Sequence, residues 1–276
     1  MTPERPLLFL NPRSGGGKAE HAGLAERAQE RGIDVVVVSP DDDFAGLVDD
    51  AVARGADALG VAGGDGSLAV VAAAAVAHEL PFVCIPAGTR NHFALDVGID
   101  RSSVVGALDA FADGVERRVD VAEVNGRLFL NNVSLGVYGE AVRQPRYRDA
   151  KVRTMIETAA HALGPSAAAV GVEVVDDRGS IHADVAVLLV SNNPYALELP
   201  RAPGPRPRLD GGELGVILLD TPRAGRSPGR AWSTTELEVS APDPVHAGID
   251  GEPVELTTPL RFAVRPRALR LRLRRA

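Results

Sequence analysis

The chain has 276 residues, 45% of them hydrophobic and 24% charged, which is ordinary for a globular protein with a sizeable core. The formal net charge of -7 argues against a broad nucleic-acid-binding surface as the main function. The single cysteine, Cys84, excludes a disulfide framework within the chain and fits a reduced, cytoplasmic setting.

The first half of the chain alternates strand and helix patterns. Continuous apolar runs predict strands that are buried on both faces. The strand segments are 6–12, 33–40, 56–64 and 81–88, and the helix segments are 18–32, 43–55, 68–80 and 102–114. This alternation favours a parallel sheet with helices on both faces. We therefore predict an α/β domain over residues 1–119.

After about residue 118 the pattern changes to antiparallel strands. Asn125-Gly126 lies between two alternating runs and predicts a hairpin. One helical segment is expected at 148–164, and the basic end, 267–276, alternates leucine with arginine as a final strand with one solvent-facing side. Residues 120–276 are thus predicted to form a β-rich second domain.

Three glycine-rich segments follow predicted strands of the first domain. They are "NPRSGGGKA" (11–19), "GGDGS" (63–67) and "PAGTRNHFALDVGI" (86–99). Each lies at the carboxyl end of a strand, where open α/β sheets bind their ligands, and each leads into a helix whose free amides favour anions. The first segment is not a Walker A loop, because Pro12 and Ala19 stand where that motif needs glycine and a hydroxyl residue. Taken alone, it also fits a simple strand-to-helix turn.

Asp65 is the unusual residue of the second segment, because a carboxylate repels a bare phosphate. A magnesium ion that bridges Asp65 to phosphate oxygens would explain it. The alternative is that Asp65 is a turn residue. His92, in the third segment, is more simply a packing or capping residue than a base.

The three segments, in this order and spacing, resemble the catalytic domain of the diacylglycerol kinase family, which includes bacterial lipid kinases and sphingosine and ceramide kinases. "GIDGEPVEL" (248–256) looks like the Asp-Gly-Glu element of that family. The resemblance implies a Rossmann-like α/β domain followed by an antiparallel β-sandwich, with ATP in a cleft between them. The residues that it implies at the nucleotide are Asn11, Pro12, Arg13, Ser14, Gly15, Ser39, Gly64, Gly66, Ser67 and Thr89.

The resemblance assigns the chemistry to Glu252, as the proton acceptor from a lipid hydroxyl, and to Asp250, acting through magnesium or by positioning. Spacing alone leaves a plain Asp-Gly hairpin turn as the alternative. Asp65 is implied as a further catalytic residue and magnesium ligand. Glu140 and Asn91 are implied on the substrate side.

Three departures from the family pattern stand out. His92 replaces an aspartate, and Val70 stands where many relatives have glutamate. Asp210 lies in a segment that resembles a structural magnesium site, but Gly211 replaces a second acidic residue there. Asp210 is therefore a doubtful metal ligand.

We expect a magnesium-dependent kinase that transfers the γ-phosphate of ATP to a hydroxyl of a diacylglycerol-like lipid. The alternatives are an NAD kinase or a sugar kinase of the phosphofructokinase type, which share the Gly-Gly-Asp-Gly element, and a catalytically silent nucleotide-binding protein. Motif context favours the lipid branch.

The expected partners are a nucleotide and a lipid at the membrane surface, without nucleic acid. The first residues do not resemble a signal peptide, and no apolar run approaches the roughly 18 residues of a spanning helix, so we expect a cytoplasmic protein peripheral to the inner face of the membrane. Tyr195 is a candidate for surface contact, together with Leu197 and Leu199. The sequence leaves a homodimer open.

Overall fold

The computed structural model describes residues 2–136, 171–196, 206–221, 229–242 and 244–275. The chain divides into two compact units, the first comprising Met1–Val119 with Arg267–Ala276 and the second Asp120–Pro266. An α/β unit with a parallel sheet is followed by an antiparallel β unit, so the predicted fold class is confirmed.

The first unit contains a parallel sheet in the order β2-β1-β3-β4, and the end of β16 pairs in parallel with β4. Its strands are β1 (Pro6–Leu10), β2 (Asp34–Val37), β3 (Ala58–Ala62), β4 (Pro81–Ile85) and the last residues of β16 (Leu260–Arg274). β3 and β4 are buried along their whole length, as their continuous apolar runs predict.

The helices of this unit are shorter than the sequence patterns indicate, except α4, which has the predicted length but begins three residues earlier, at Asp65. They are α1 (Lys18–His21), α2 (Leu24–Gln29), α3 (Phe44–Ala53), α4 (Asp65–Ala77), α5 (His92–Asp96) and α6 (Asp109–Asp113). The helix predicted over 18–32 is interrupted because Gly23 adopts a left-handed φ of 57°. The helix predicted over 102–114 consists of a 3₁₀ turn, Gly106–Leu108, followed by α6.

The second unit is a β-sandwich. One sheet has the antiparallel order β12-β11-β10-β7-β14-β15, and the remaining strands pair as β5 with β6 and as β16-β13-β8-β9. The strands are β5 (Gly114–Val124), β6 (Arg127–Phe129), β7 (Asn132–Gly136), β8 (Glu173–Val175), β9 (Ile181–His182), β10 (Val185–Asn192), β11 (Leu214–Asp220), β12 (Gly229–Thr234), β13 (Glu236–Ser240), β14 (Val245–Ile249) and β15 (Glu252–Leu256). Side chains from both sets, including Leu188 and Phe262, pack into one buried core.

Two predictions about strands and turns can be compared with the structure. Asn125 and Gly126 have φ of 48° and 79°, as a hairpin turn between β5 and β6 requires, so that prediction is confirmed. The end of β16 is a strand, but its arginine side is not uniformly solvent-facing. Arg272 is buried, and its Nε donates to the carbonyl of Ala110 at 2.9 Å. The helix expected over 148–164 lies outside the described residues.

Candidate functional site

The three glycine-rich loops meet in the first unit, at the carboxyl ends of β1, β3 and β4. A Cβ atom on Gly15 would lie 2.3 Å from the carbonyl oxygen of Ala87, and one on Gly88 would lie 2.5 Å from the Cα of Gly64. These distances are shorter than any real carbon contact, so glycine is required where the loops touch. β1, β3 and β4 are neighbours in the sheet, which brings residues far apart in sequence to one edge.

The first loop is a tight left-handed turn. Gly15, Gly16 and Gly17 have φ of 58°, 72° and 83°, values that residues with side chains rarely adopt. Asn11 holds the entrance of the loop, because its Oδ1 accepts from the amide of Arg13 at 3.1 Å. The predicted residues 11–15 therefore form one continuous turn, and Asn11 uses part of its side chain to shape it.

The second loop leaves empty space beside a helix N-terminus. α4 begins at Asp65, and Gly64 precedes it with an ordinary extended backbone, φ −88° and ψ 177°. A Cβ on Gly64 would meet nothing within 4 Å. Neither backbone conformation nor packing requires glycine at this position, and the first-turn residues Gly66 and Ser67 are partly exposed. A small anion could approach the amides of this turn closely.

Asp65 connects the second loop to the third. The residue is 8% exposed, and its two carboxylate oxygens accept from the backbone amides of His92, at 3.3 Å, and Phe93, at 3.4 Å. Asp65 thereby caps α5 from the first turn of α4. Burial, together with the nearby Asp65 charge, raises the pKa of the Cys84 thiol, which makes Cys84 an unreactive packing residue.

The carboxylate of Asp65 remains compatible with magnesium, because each oxygen has lone pairs beyond the one that accepts an amide. Among the residues that the structure describes, no three acidic, histidine or cysteine side chains are placed to bind a metal together. A magnesium ion at Asp65 would therefore need phosphate oxygens or water as its other ligands, which is its usual manner of binding.

The third loop is closed by Asn91. Its buried side chain accepts from the amide of Gly88 at 3.0 Å and donates to the carbonyl of the same residue at 2.7 Å. Both ends of the carboxamide are thus used within the loop, so Asn91 shapes it, whatever else it contacts. Thr89 is exposed at its tip.

Two further residues border these loops. Lys18 donates to the carbonyls of Pro86, at 3.1 Å, and Arg101, and so ties the start of α1 to the third loop. Ser39 is exposed after β2, and its amide donates to a carboxylate oxygen of Asp42 at 2.7 Å.

The predicted pair Asp250 and Glu252 lies in the second unit, at the hairpin between β14 and β15. Asp250 and Gly251 have φ of 49° and 87°, a two-residue turn with both positions left-handed, and Ile249 pairs with Glu252. Locally, this is the plain Asp-Gly turn that spacing alone left open. Glu252 follows the turn with its side chain exposed.

The carboxylate of Asp250 is held by the main chain before β7. Its oxygens accept from the amides of Leu130, Asn131 and Asn132 at 2.8, 2.7 and 3.1 Å, and its own amide donates to the carbonyl of Asn132 at 2.9 Å. Hydrogen bonds of this kind to a charged acceptor are strong. Asp250 therefore fixes the turn that carries Glu252.

A layer of buried polar side chains lies beneath this turn, and the sequence analysis did not find it. It consists of Asp120, Asn131, Asn132, Ser134, Ser191, Asn192, Asn193 and Arg206. The pairs of asparagines in "LNNVS" and "VSNNP", each at the end of an apolar strand, are the signal that could have indicated it.

Within the part of the chain that the structure describes, Asp210 does not belong to a group of acidic, histidine or cysteine side chains that could hold a metal. Its side chain is 3.3 Å from the Nε of Arg208. The neighbouring loop is held by other groups, because the amide of Gly211 donates to Asn193 and that of Gly212 to Asp120. Glu140, Leu197 and Leu199 lie outside the described residues. Tyr195 is partly buried, and its hydroxyl accepts from the side chain of Asn132 at 3.0 Å.

Comparison with known proteins identifies the family to which this chain belongs. Residues 5–124 match the family model of the diacylglycerol kinase catalytic domain. The chain is also 31% identical to a Pseudomonas aeruginosa protein named "Probable lipid kinase YegS-like", over 99% of this chain and 95% of that one. The chain therefore belongs to the diacylglycerol kinase family, and the resemblance inferred from its motifs is confirmed.

One further relative is similar in sequence, and two solved structures share the fold. A Mycobacterium tuberculosis diacylglycerol kinase is 36% identical over 42% of this chain and 39% of its own length. A crystal structure from Bacillus anthracis str. Sterne has a TM-score of 0.76 at 20% identity and covers 98% of both chains. A diacylglycerol kinase from the same organism gives a TM-score of 0.69 at 18% identity, covering 98% of this chain and 97% of that chain. In the described residues no helix is long and apolar enough to span a membrane.

Proposed function

We propose that this protein is an ATP-dependent lipid kinase that transfers the γ-phosphate of ATP to a hydroxyl of a diacylglycerol-like lipid. The observation that carries the proposal is the open space at Gly64, a glycine that neither φ nor packing requires, beside the free amides of α4. Family membership supplies the reaction class, and the names of the relatives indicate lipid acceptors.

In this proposal the first unit binds the nucleotide. The amides of the turn at Ser14–Gly17 and of the first turn of α4 receive the phosphates, and Thr89 donates its hydroxyl from the third loop. Asp65 would hold a magnesium ion at these phosphates, and such an ion would neutralise part of their charge. Positioning and charge stabilisation account for most of the rate enhancement in phosphoryl transfer.

Glu252 is the proposed proton acceptor, since its exposed carboxylate follows a turn fixed by four hydrogen bonds of Asp250. The lipid hydroxyl oxygen forms a bond to the γ-phosphorus, the bond from that phosphorus to the β,γ-bridging oxygen breaks, and ADP leaves. The hydroxyl proton passes to the Glu252 carboxylate. Asp250 contributes by positioning, because its oxygens already accept three amides.

The direct test is transfer of label from γ-³²P-ATP to a panel of lipid alcohols in mixed micelles, with and without magnesium. We expect label in a lipid product that depends on both the lipid and the metal. NAD and fructose 6-phosphate are the comparison acceptors. Label in either of these instead of lipid, or nucleotide binding without transfer to any acceptor, would overturn the proposal in favour of the corresponding alternative.

A lipid acceptor also requires contact with a membrane, and we propose that the protein binds its inner face transiently. Sedimentation with liposomes that contain diacylglycerol measures this contact. Absence of binding at any lipid concentration would contradict the membrane part of the proposal without affecting transfer to lipid in micelles.

A further inference from the structure

Arg206 is a buried cation in the second unit, with its residue only 2% exposed. Its guanidinium donates to the carbonyls of Leu130, at 2.6 Å, and Asn192, at 2.8 Å, and to the Oδ1 of Asn131, also at 2.8 Å. Placing a guanidinium in the protein interior is costly unless its donors are satisfied in a fixed geometry. A buried arginine with such contacts is therefore a rigid point in the structure.

The segment that Arg206 holds is the same one that holds Asp250. The amides of Leu130, Asn131 and Asn132 face the carboxylate of Asp250, while the carbonyl of Leu130 and the side chain of Asn131 face Arg206. The segment 130–132 is thus bound by both a cation and an anion. Hydrogen bonds along such a chain polarise and strengthen one another.

Tyr195 completes the arrangement. Its ring centroid lies 5.9 Å from the guanidinium carbon of Arg206, and its hydroxyl accepts from the side chain of Asn132. The aromatic ring therefore contacts Arg206 and the end of the segment that Arg206 orders. This use of Tyr195 differs from the membrane contact that the sequence suggested.

We propose that Arg206 is a positioning residue for Glu252: it fixes the backbone of 130–132, which fixes the Asp250 carboxylate and hence the turn that places Glu252. The effect of this placement on turnover rests on the proposed function of Glu252. The hydrogen-bonded connection from Arg206 to the turn is independent of that function. Displacement of a reacting group by about 1 Å can cost about 100-fold in rate, so loss of Arg206 reduces turnover without contact with substrate.

The kinetic test compares Arg206→Met, which removes all donors at similar length, with Arg206→Lys, which keeps the charge but loses the planar fork. Arg208→Met is the matched control, because the Arg208 side chain is 71% exposed. We expect Arg206→Met to lower kcat for lipid phosphorylation at least about 10-fold with the KM for ATP within about twofold of wild type. We expect a smaller fall in kcat for Arg206→Lys and no fall for Arg208→Met.

Combination with Glu252→Gln separates positioning from a general structural role. If Arg206 acts through Glu252, Arg206→Met has little further effect on kcat in the Glu252→Gln protein. An equal fold-loss in both backgrounds would overturn the proposal. A raised KM for ATP with unchanged kcat would also contradict it.

Amide hydrogen exchange tests the coupling without any enzymatic assay, and so distinguishes its failure from failure of the proposed function. We expect the amides of Leu130, Asn131, Asn132 and Asp250 to exchange at least about 10-fold faster in folded Arg206→Met than in Arg208→Met. Unchanged exchange would overturn the proposal even if the wild type phosphorylates lipids. If circular dichroism shows that Arg206→Met does not fold, Arg206→Lys decides by the same measurements, and wild-type kcat and exchange in that variant would overturn it.

Discussion

The loops of the first unit and the Asp250–Glu252 turn of the second unit are ordered by different means. In the first unit, glycines let main chain approach main chain, as at Gly15 and Gly88, and leave open space at Gly64. In the second unit, charged and amide side chains bind the backbone of 130–132. Absence of side chains thus leaves open space in one region, where we propose that phosphates bind, whereas polar side chains hold the backbone of the other region.

The strongest test of this comparison is Glu252→Gln, which removes the proposed base but leaves the turn intact. We expect turnover with lipid to fall at least about 100-fold, because general-base catalysis commonly contributes that much, while affinity for ATP stays the same. Initial rates and equilibrium ATP binding measure the two effects. Glu255→Gln, an exposed carboxylate on the same strand, is the control. Full activity in Glu252→Gln would show that the reaction does not use this carboxylate of the second unit.

Asp65, which is buried, and Asp250, which is partly buried, provide the next test, because each accepts main-chain amides in a different unit. Asp250→Asn places an amide donor against donors that are 2.7 to 3.1 Å away, and we expect it to lower the free energy of unfolding by about 2–3 kcal/mol. Asp65→Asn disturbs two longer contacts of 3.3 and 3.4 Å, and we expect it to lower the free energy of unfolding by about 1 kcal/mol.

Urea unfolding followed by circular dichroism measures both losses. Asp210→Asn, whose carboxylate contacts the exposed Arg208, serves as a control for loss of charge. A larger loss for Asp65→Asn than for Asp250→Asn would reverse the comparison, since the first unit would then depend more on its carboxylate.

Gly64→Ala tests the open space itself. An alanine fits the φ of −88° and meets no atom within 4 Å, so we expect a stability loss of at most about 1 kcal/mol, from the poorer helix cap. A methyl group there would obstruct a bound phosphate, and we expect ATP affinity to fall about 10-fold, equivalent to about 1.4 kcal/mol. Isothermal titration with ATP and magnesium measures it.

Gly88→Ala is the contrasting variant. Its methyl group would lie 2.5 Å from the Cα of Gly64, so we expect it to lower thermal stability as well as ATP affinity. If Gly64→Ala binds ATP like the wild type, the phosphates do not approach this turn, and the observation that carries the proposed function no longer supports it.

The difference between the two regions also explains what the sequence could predict. The loops are contiguous motifs at strand ends, so their residues and their meeting at one sheet edge follow from local pattern and parallel topology. The double role of Asp65, as first residue of α4 and cap of α5, depends on the distance between two loops and could not be read locally. The hydrophobic periodicity of 18–32 predicts a helix through Gly23, because periodicity carries no information about the left-handed φ of that residue.

In the second unit the hairpin at Asp250-Gly251 was predictable from its turn residues, but its support was not. Arg206 lies in the proline-rich stretch "PRAPGPRPR" (200–208), far in sequence from Leu130 and Asn131. The pairing of β7 with β10 and β14 brings Asn192 and Asp250 beside the segment 130–132. Arg206 reaches the same place from the segment before β11 through its hydrogen bonds. Buried polar contacts of this kind depend on tertiary packing, which neither composition nor spacing encodes.

Acid provides the last and smallest test, at a polar cluster of the second unit remote in sequence from the turn. The Asp176 side chain is 0% exposed. Burial opposes its ionisation, but the amides of Ser180 and Arg178, His182 and the Arg230 guanidinium together lower its pKa to about 2. Asp177 and Asp220 are the other carboxylates of this cluster, Asp177 paired with Arg230 and Asp220 facing His182.

Because the folded pKa of Asp176 lies below the unfolded value of 3.8, its ionisation stabilises the fold above about pH 3.8. That stabilisation is lost as the pH falls through about 2. Trp232, the single tryptophan, lies on β12 near Arg230 and reports on this unit by fluorescence. We expect the urea midpoint of the wild type to fall between pH 4 and 2, and that of Asp176→Asn to start lower and change less.

Asp100→Asn is the control, at an exposed carboxylate of the first unit. Hydrogen bonding, first of all from the Ser102 side chain, also lowers the pKa of Asp100, but Asp100→Asn should leave the Trp232 transition unchanged. Equal acid dependence in Asp176→Asn and wild type would show that other groups control the acid stability of the second unit.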